Sequence, residues 1–268
     1  MQHQPDPYVD FKSNQRAMWA SFTPTAMFTT PVAGQLVRFA DITPGERLLD
    51  VGTGTGVVPV TAARAGARVS ALDLTPQLIE QARLNSRTAG VDVDWHLGDA
   101  EDLPFPDATF DVVTSQFGHM FAPRPEVALQ EMFRVLKPGG RLVFATWPPE
   151  HFVGKMFAFV SRHMPPPPPG AAPPPQWGHV GIVTERLAAA GFAAPFFTRG
   201  TMYIPALSLA HFRLFMEGSV GPMQKLVERL AGDAAALAAV RQEFEELARP
   251  YFSDNLMHQS YLFTRAGR

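Results

Sequence analysis

The stretch "LLDVGTGTGVV" at residues 48–58 decides the fold. Apolar residues interrupted by Asp50 predict a buried strand, and glycine then stands at every second position before apolar residues return. Glycines between a strand and a helix let the backbone turn tightly and let a ligand approach the N–H groups at the helix N-terminus. The stretch therefore predicts a cofactor site and raises the question of which ligand it binds.

Three ligand classes compete for this turn. A phosphate-cradling loop would require Gly-Lys-Ser/Thr after four intervening residues, and the sequence has none. The dinucleotide fingerprint G-x-G-x-x-G/A requires glycine or alanine at position 57, where Val57 stands. The remaining candidate is S-adenosylmethionine, whose amino-acid carboxylate and ammonium, rather than a pyrophosphate, would lie near the loop.

Short apolar strands and helices of about three turns alternate after this stretch. Strands are predicted at 47–51, 68–72, 92–96, 110–115 and 140–146, and helices at 57–65, 76–88 and 125–136. This alternation is typical of right-handed strand-helix-strand crossovers. The predicted fold class is therefore α/β with a mainly parallel sheet.

The flanking segments predict four regions. Residues 1–45, with helices at 10–22 and 31–41, form an N-terminal helical cap, and residues 46–206 form the core. Residues 207–250 are predicted as a helical lid inserted before the final strand, which lies within 251–268. The core also includes a helix at 182–190, a strand at 195–204 and the proline-rich loop "MPPPPPGAAPPPQWG" at 164–178. That loop is either a surface spacer or a stiff flap over a binding cavity.

Composition excludes several classes of protein. The 268 residues are 46% hydrophobic, which is enough for one main core. The net charge of -2 is spread without long like-charge runs, which argues against nucleic acid as a partner. Cysteine is absent, so disulfides and thiolate chemistry are excluded. No spacing of histidines and acids is typical of a metal site, and none is predicted.

The N-terminus is polar where a signal peptide has an apolar core. No apolar run approaches the roughly 20 residues of a membrane span. We therefore expect a cytoplasmic protein without a membrane span. Nothing in the sequence supports an oligomer.

Acidic residues follow the second and third predicted strands. Asp73 closes "VSALDLT", where its carboxylate could accept both hydroxyls of a ribose; the alternative is a helix cap. Asp99 and Ala100 open "GDAEDLPFPDATFDVV", where an adenine would meet a side-chain oxygen and a backbone N–H. For Glu101 and Asp102 we expect a solvated acidic turn.

Four motifs in order carry a family resemblance: "LLDVGTGTG", "ALDLT", "GDAEDLPFPDATFDVV" and "EMFRVLKPGGRLVFATW". Over roughly residues 30–147 the chain resembles the class I S-adenosylmethionine-dependent methyltransferases, and is similar to the ubiquinone/menaquinone-biosynthesis group. The resemblance implies a Rossmann-like, seven-stranded sheet with the last strand antiparallel. It also implies S-adenosylmethionine as cofactor and S-adenosylhomocysteine as product.

The resemblance assigns roles to individual positions. Gln116 would face the methionyl part of the cofactor, and the Lys137–Gly140 turn would be structural. Asp73 and Leu74 would contact the ribose and adenine, and Asp99 and Ala100 the adenine. The residues assigned to the cofactor loop are Asp50, Gly52, Thr53, Gly54 and Gly56.

The acceptor class is narrowed by what the sequence lacks. Residues 114–117 read Thr-Ser-Gln-Phe rather than Asn/Asp-Pro-Pro-Tyr/Phe, which argues against methylation of exocyclic amines of nucleobases or of glutamine. A small-molecule acceptor remains. Aromatic and methionine side chains flank the predicted ligand edge and would form an apolar pocket for an aromatic or polyketide-like molecule. The substrate-binding candidates are Trp19, Phe22, Phe117, Met120, Trp147 and Trp177.

Methyl transfer depends mainly on orientation, and a hydroxyl acceptor also benefits from a general base. His119, in "TSQFGHMF" after the fourth strand, is the first candidate for this base, and His179 the second. The favoured function is therefore O-methylation of a small, mostly apolar acceptor. The alternatives are C-methylation of a quinone precursor, S-adenosylmethionine binding without turnover and, least favoured, a nicotinamide oxidoreductase.

Overall fold

A computed structural model, which describes residues 6–268, contains one mixed sheet surrounded by helices. The strands are β1 (Arg47–Val51), β2 (Arg68–Asp73), β3 (Asp94–Leu97), β4 (Phe110–Gln116), β5 (Leu136–Thr146), β6 (Phe196–Pro205), β7 (Phe252–Ser253) and β8 (Leu256–Gly267). The helices are α1 (Val9–Trp19), α2 (Ala26–Phe39), α3 (Val57–Arg64), α4 (Pro76–Ala89), α5 (Pro125–Val135), α6 (Phe152–Ser161), α7 (Val180–Ala189), α8 (Leu209–Ser219), α9 (Gly221–Leu230) and α10 (Ala234–Ala248).

The strand order is β3-β2-β1-β4-β5-β8-β6, and the two-residue β7 pairs with β8. Neighbours from β3 to β5 are parallel, whereas β8 is antiparallel to both β5 and β6. The predicted α/β class, the seven main strands and the antiparallel last strand are confirmed. Chain order reverses direction between β1 and β4, and ligands of such sheets bind at the carboxyl ends of the strands near this point.

Local sequence explains the central elements. The inner strands β1 and β4 are buried over nearly their full length, which is why they read as apolar runs. Helix α4 starts with Pro76 at its first position and ends at Gly90 in the left-handed conformation. Asp233 caps α10, since its side chain accepts a hydrogen bond from the N–H of Ala236.

The structure differs from the predictions in three places. Strand β5 begins at Leu136, so the predicted Lys137–Gly140 turn lies within the strand, where the pairing with β4 is irregular. The predicted helical lid at 207–250 consists of three helices, because Gly221-Pro222 and Gly232-Asp233 interrupt it. Helix α6 was not predicted, although its buried residues have helical spacing: Phe152, Val153, Met156, Phe159 and Val160.

The proline-rich segment is fastened to the body of the protein. The N–H of Ala172 donates to the carbonyl of Pro123, and the Tyr8 hydroxyl donates to the carbonyl of Pro169. At its end the Thr146 hydroxyl donates to the carbonyl of Trp177, whose side chain is 0% exposed. None of residues 164–178 lines the main cavity described below, so the structure favours a spacer over a flap.

Among residues 6–268, no helix combines the length and the apolar character that crossing a bilayer requires.

The glycine turn allows a test of packing. Gly56 has a positive φ of 81°, and a Cβ there would lie 2.6 Å from Cη2 of Trp95. Gly56→Ala should lower the free energy of unfolding by about 2–4 kcal/mol, because overpacking against Trp95 adds to backbone strain. Gly90→Ala, also at positive φ but with open space around its Cβ, should cost only about 1 kcal/mol. Urea unfolding measures both, and equal losses would contradict this account.

Candidate functional site

One large cavity opens at the carboxyl ends of the parallel strands. It contains about 1490 Å³ of empty space, including its open mouth. The turns after β1 to β3 line one side, which we call the loop side. The other, the apolar side, is lined by Trp19, Phe22, Phe121, Trp147, Val153, Met156, Phe157, Met202, Ile204, Met216 and Val220.

The three glycines of the opening stretch serve different purposes. Gly54 faces the cavity, because a Cβ there would meet only Cε1 of Phe22, at 4.0 Å. Gly52 also lines the cavity, but a Cβ there would lie 2.8 Å from the Cα of Gly118, so its glycine is required by a close backbone approach. Gly56 is absent from the cavity lining, and its close approach to Trp95 explains why glycine stands there; its assignment to the cofactor loop stays a prediction. Of these three glycines, only Gly54 has open space toward the cavity where a side chain would otherwise stand.

Asp73 joins two turns through its buried carboxylate. Its Oδ2 accepts from the N–H of Gly54 at 2.7 Å, and its Oδ1 accepts from the N–H of Thr75 at 2.9 Å. Burial raises the pKa of this carboxyl, although the backbone hydrogen bonds oppose the shift. A carboxylate can accept about four hydrogen bonds, so Asp73 keeps capacity toward the cavity that it lines.

Asp50 is a second carboxyl beneath the same turn. It is fully buried within β1, and its Oδ1 accepts a hydrogen bond of 2.7 Å from the Thr114 hydroxyl. Burial raises its pKa to about 7, and the nearby Asp73 charge acts in the same direction. Asp50 therefore changes its charge near neutral pH.

Two buried side-chain oxygen atoms on the loop side have no hydrogen-bond partner among the described residues. They are Oγ1 of Thr53 and Oε1 of Gln116, and both residues line the cavity. The amide nitrogen of Gln116 donates to the carbonyl of Thr29, which orients the side chain. Buried polar atoms normally have a partner, so these two fit a ligand that carries hydrogen-bond donors.

The loop side is also lined by Leu74, Asp99 and Ala100, the positions that the resemblance assigned to the ribose and adenine. The carboxylate of Asp99 is not free, however, because its Oδ2 lies 2.6 Å from Nζ of Lys12 on α1. Asp6 and Glu101 place carboxylate oxygens at the same distance from that ammonium. Three acids therefore converge on Lys12, a residue that the sequence analysis missed.

Glu101 is not the solvated residue that we expected. Its side chain is buried, and it accepts hydrogen bonds from Lys12 and from both the backbone and the guanidinium of Arg124. Asp102 is exposed, as expected. Lys12 and Glu101 together hold the N-terminal helix over the turn that follows β3.

Four of the six aromatic or methionine candidates line the cavity: Trp19, Phe22, Phe117 and Trp147. The rings of Phe117 and Trp147 stack with centroids 3.8 Å apart and an 8° angle between their planes. Met120 and Trp177 are fully buried in the core and absent from the lining, so the structure does not bring them to the cavity with the other four, and their contact with substrate stays a prediction. Residue type alone could not separate core from cavity wall.

His119 is one of the residues that line the cavity, although it is only 1% exposed. Its ring packs edge-on against Phe144 and Trp177. Both ring nitrogens are buried and have no partner among the described residues, and burial lowers the pKa to about 3. The imidazole is therefore neutral near pH 7, and its role as general base stays a prediction.

His179 lies outside the site. It is exposed, is absent from the cavity lining, and accepts a hydrogen bond from the N–H of Ile182 as the N-cap of α7. The structure therefore does not bring His179 to the cavity, and its catalytic role stays a prediction without structural support.

Sequence reasoning also missed several lining residues. Gln15 and Lys12 come from α1, Gln259 comes from β8, and Met202 and Ile204 come from β6. These segments lie far from the glycine turn along the chain, and no local motif marks them.

Comparison with known proteins places this geometry in a family. The family model described as a methyltransferase domain matches residues 49–144. An uncharacterized protein of Mycobacterium tuberculosis is 32% identical over 258 residues, covering 95% of this chain and 94% of its own. The ubiquinone/menaquinone biosynthesis C-methyltransferase of a Ruegeria species is 47% identical over 104 residues, covering 37% of this chain and 42% of that protein.

Solved structures share the fold. The YcgJ protein from Bacillus subtilis has a TM-score of 0.60 at 18% identity, covering 88% of this chain and 97% of that one. Phosphoethanolamine N-methyltransferase 2 from Haemonchus contortus, in complex with S-adenosylmethionine, has a TM-score of 0.53 at 18% identity, covering 86% of this chain and 50% of that one.

The chain is a class I S-adenosylmethionine-dependent methyltransferase, and S-adenosylmethionine is its cofactor. It belongs to the same family as the mycobacterial proteins that match it over nearly their full length, and it is similar to the ubiquinone/menaquinone-biosynthesis methyltransferases.

Asp50 predicts a pH dependence of stability. Its folded pKa of about 7 exceeds the unfolded value, so its contribution to stability is complete below the unfolded pKa and is lost as pH rises through the folded one. The wild type should lose roughly 2–3 kcal/mol of unfolding free energy between about pH 5 and about pH 8 on this account. Asp50→Asn still accepts from Thr114 and should lack this loss. Urea unfolding at both pH values checks it, and parallel pH profiles would contradict it.

Lys12 predicts a large loss of stability. Lys12→Met leaves Asp99 without its cation and leaves Asp6 with Arg124 alone, at 3.5 Å, and should lower the free energy of unfolding by about 3–5 kcal/mol. Lys225→Met is the matched control, since it removes an exposed pair with Glu228 and should cost under about 0.5 kcal/mol. Chemical denaturation compares the two, and similar small losses would show that the Lys12 cluster is not stabilising.

Proposed function

We propose that this enzyme holds S-adenosylmethionine on the loop side and methylates a small, mostly apolar, planar acceptor held on the apolar side. The observation that carries the proposal is the continuity of the cavity, in which polar turns and an aromatic wall border one space. The strand order supports this division, because β1 to β3 lie in one half of the sheet and β8 and β6 in the other.

The loop-side residues suit the cofactor chemically. The spare acceptor capacity of Asp73 suits ribose hydroxyls, and the unpaired oxygens of Thr53 and Gln116 suit an ammonium group. Asp99 and Ala100, beside Leu74, suit the adenine. When bound, the cofactor supplies an electrophilic methyl group on a sulfonium.

The apolar side orients the acceptor and excludes water. The stacked Phe117 and Trp147 rings offer a flat surface that favours a planar molecule. Because the ring of His119 is almost completely buried, we propose that orientation rather than a histidine base drives the transfer. An acceptor oxygen acidic enough to ionise near neutral pH fits this arrangement, and O-methylation is the favoured outcome.

C-methylation of a quinone precursor is the second candidate. The observation that favours it is the 47% identity to the Ruegeria C-methyltransferase. That match covers 37% of this chain, whereas most of the apolar side is built from elements outside residues 49–144.

We further propose that the predicted N-terminal segment, residues 1–45, acts as a cap and residues 207–250 as a lid; residues 1–5 of that segment lie outside the described residues. Trp19 and Phe22 from the N-terminal region line the cavity, as do Met216 and Val220 from the helical insertion. These contributions support the division of the chain into a core and two covering segments.

Labelled cofactor and 1,4-dihydroxynaphthalene distinguish the candidates in one experiment. Mass spectrometry detects the added methyl group, and deuterium exchange counts the remaining hydroxyl protons. An O-methylated product loses one exchangeable proton, whereas a C-methylated product keeps both. Binding of S-adenosylhomocysteine without methylation of this or related hydroxylated rings would favour a cofactor-binding protein without turnover on such acceptors.

Asp73 is expected to govern cofactor affinity. Asp73→Asn keeps the shape but removes the charge and one acceptor, and should weaken binding of S-adenosylhomocysteine by about 10–100-fold. Asp92→Asn, an exposed position ahead of β3, is the control and should leave affinity unchanged. Isothermal titration calorimetry measures both, and an unaltered dissociation constant for Asp73→Asn would remove Asp73 from the site.

A further inference from the structure

Strands β6 and β8 extend beyond the rest of the sheet. The pairing of β8 with β5 runs from Gly267 to Leu262 and stops there, whereas its pairing with β6 continues to Leu256. Residues 256–261 therefore form a ribbon with β6 that rises about 20 Å above the last pairing with β5. This ribbon stands beside the cavity.

The inner face of the ribbon belongs to the apolar side. Gln259 pairs with Met202 across the ribbon, and both side chains line the cavity together with Ile204. Across from them, Met156 comes from α6 and Met216 from α8. Gln259 is thus an amide set among methionine, aromatic and branched aliphatic side chains.

The amide of Gln259 has no partner in the protein. The side chain is 3% exposed, and it makes no hydrogen bond with any residue in the described range 6–268. Several polar side chains of the lining have protein partners: Thr25 donates to the carbonyl of Ser219, Thr29 to the carbonyl of Ala26, and Gln15 accepts from Trp19. The unpaired oxygens of Thr53 and Gln116 belong to the loop side, whereas Gln259 stands on the apolar side. A buried amide needs hydrogen bonds as those groups do, and Gln259 can find them only in the cavity.

We infer that Gln259 is the residue that recognises the acceptor, through a hydrogen bond to an oxygen on an otherwise apolar ring. Its carbonyl accepts from a hydroxyl, and its NH₂ group donates to a carbonyl or phenolate oxygen. The inference rests on the proposed function, since it deepens the assignment of the apolar side to a planar acceptor. It separates acceptor selection on β8 from cofactor binding on the loop side.

Two probes that differ by one hydroxyl test the inference. Equilibrium dialysis with saturating S-adenosylhomocysteine compares 2-naphthol with naphthalene on the intact protein. The wild type should bind 2-naphthol about 3–10-fold more tightly than naphthalene, the range expected for one hydrogen bond. Gln259→Leu should lower the ratio of the two affinities to about one and leave the affinity for S-adenosylhomocysteine unchanged.

Gln259→Met, which keeps the length of the side chain, repeats the test if Gln259→Leu does not fold. Gln242→Leu, on the exposed face of α10, is the control and should keep the wild-type ratio. If both rings bind and the Gln259 variants keep the wild-type ratio of the two affinities, the inference is overturned, whereas the proposed apolar acceptor site is supported. If S-adenosylhomocysteine binds and neither ring does, the proposed apolar acceptor fails, and the inference falls with it.

Discussion

The carboxylate of Asp73 is the constraint on which the loop side depends. It accepts one N–H from the turn after β1 and another from the turn after β2, so a single side chain sets the spacing of two loops. Burial makes these bonds obligatory, because an unpaired carboxylate there would be costly. The hydrogen bond from the Gly54 N–H to Asp73 fixes the backbone of that glycine. The polar loop side of the cavity therefore depends on this carboxylate.

A second ionic cluster holds the cover over that side. Lys12 reaches from α1 into a group of acids contributed by two other segments, and Arg124 supports the same Glu101 carboxylate. The N-terminal helix is thereby attached to the turn after β3 by charge as well as by packing. Its aromatic residues Trp19 and Phe22 can then face the cavity from a fixed position.

The parts that the sequence predicted were those with local signals. Glycine spacing after a strand and an acid closing the next strand depend only on neighbouring residues, and the predicted sheet followed from alternation. Lys12 and Gln259 were missed because their surroundings arise only when distant segments pack. Met120 and Trp177 could not be told from the wall residues, because an apolar residue near a ligand edge suits a core as well as a wall. His119 lines the cavity after the fourth strand, but the burial of its ring depends on packing that one-dimensional spacing does not encode.

The two sides of the cavity also have separate origins in the chain. The residues that we propose to face the cofactor lie within residues 49–144, the part that matches the methyltransferase domain, whereas α1, α6, β6, α8 and β8 lie outside it. Under the proposed function, mutations in these outer elements would change which acceptor binds and leave the cofactor-binding residues unchanged. Exchange of these outer segments can change the acceptor while the cofactor-binding part of the sheet is kept. Such a division agrees with the two kinds of similarity, which is strong to a quinone-biosynthesis enzyme over a short span and weaker to the mycobacterial relatives over nearly the full length.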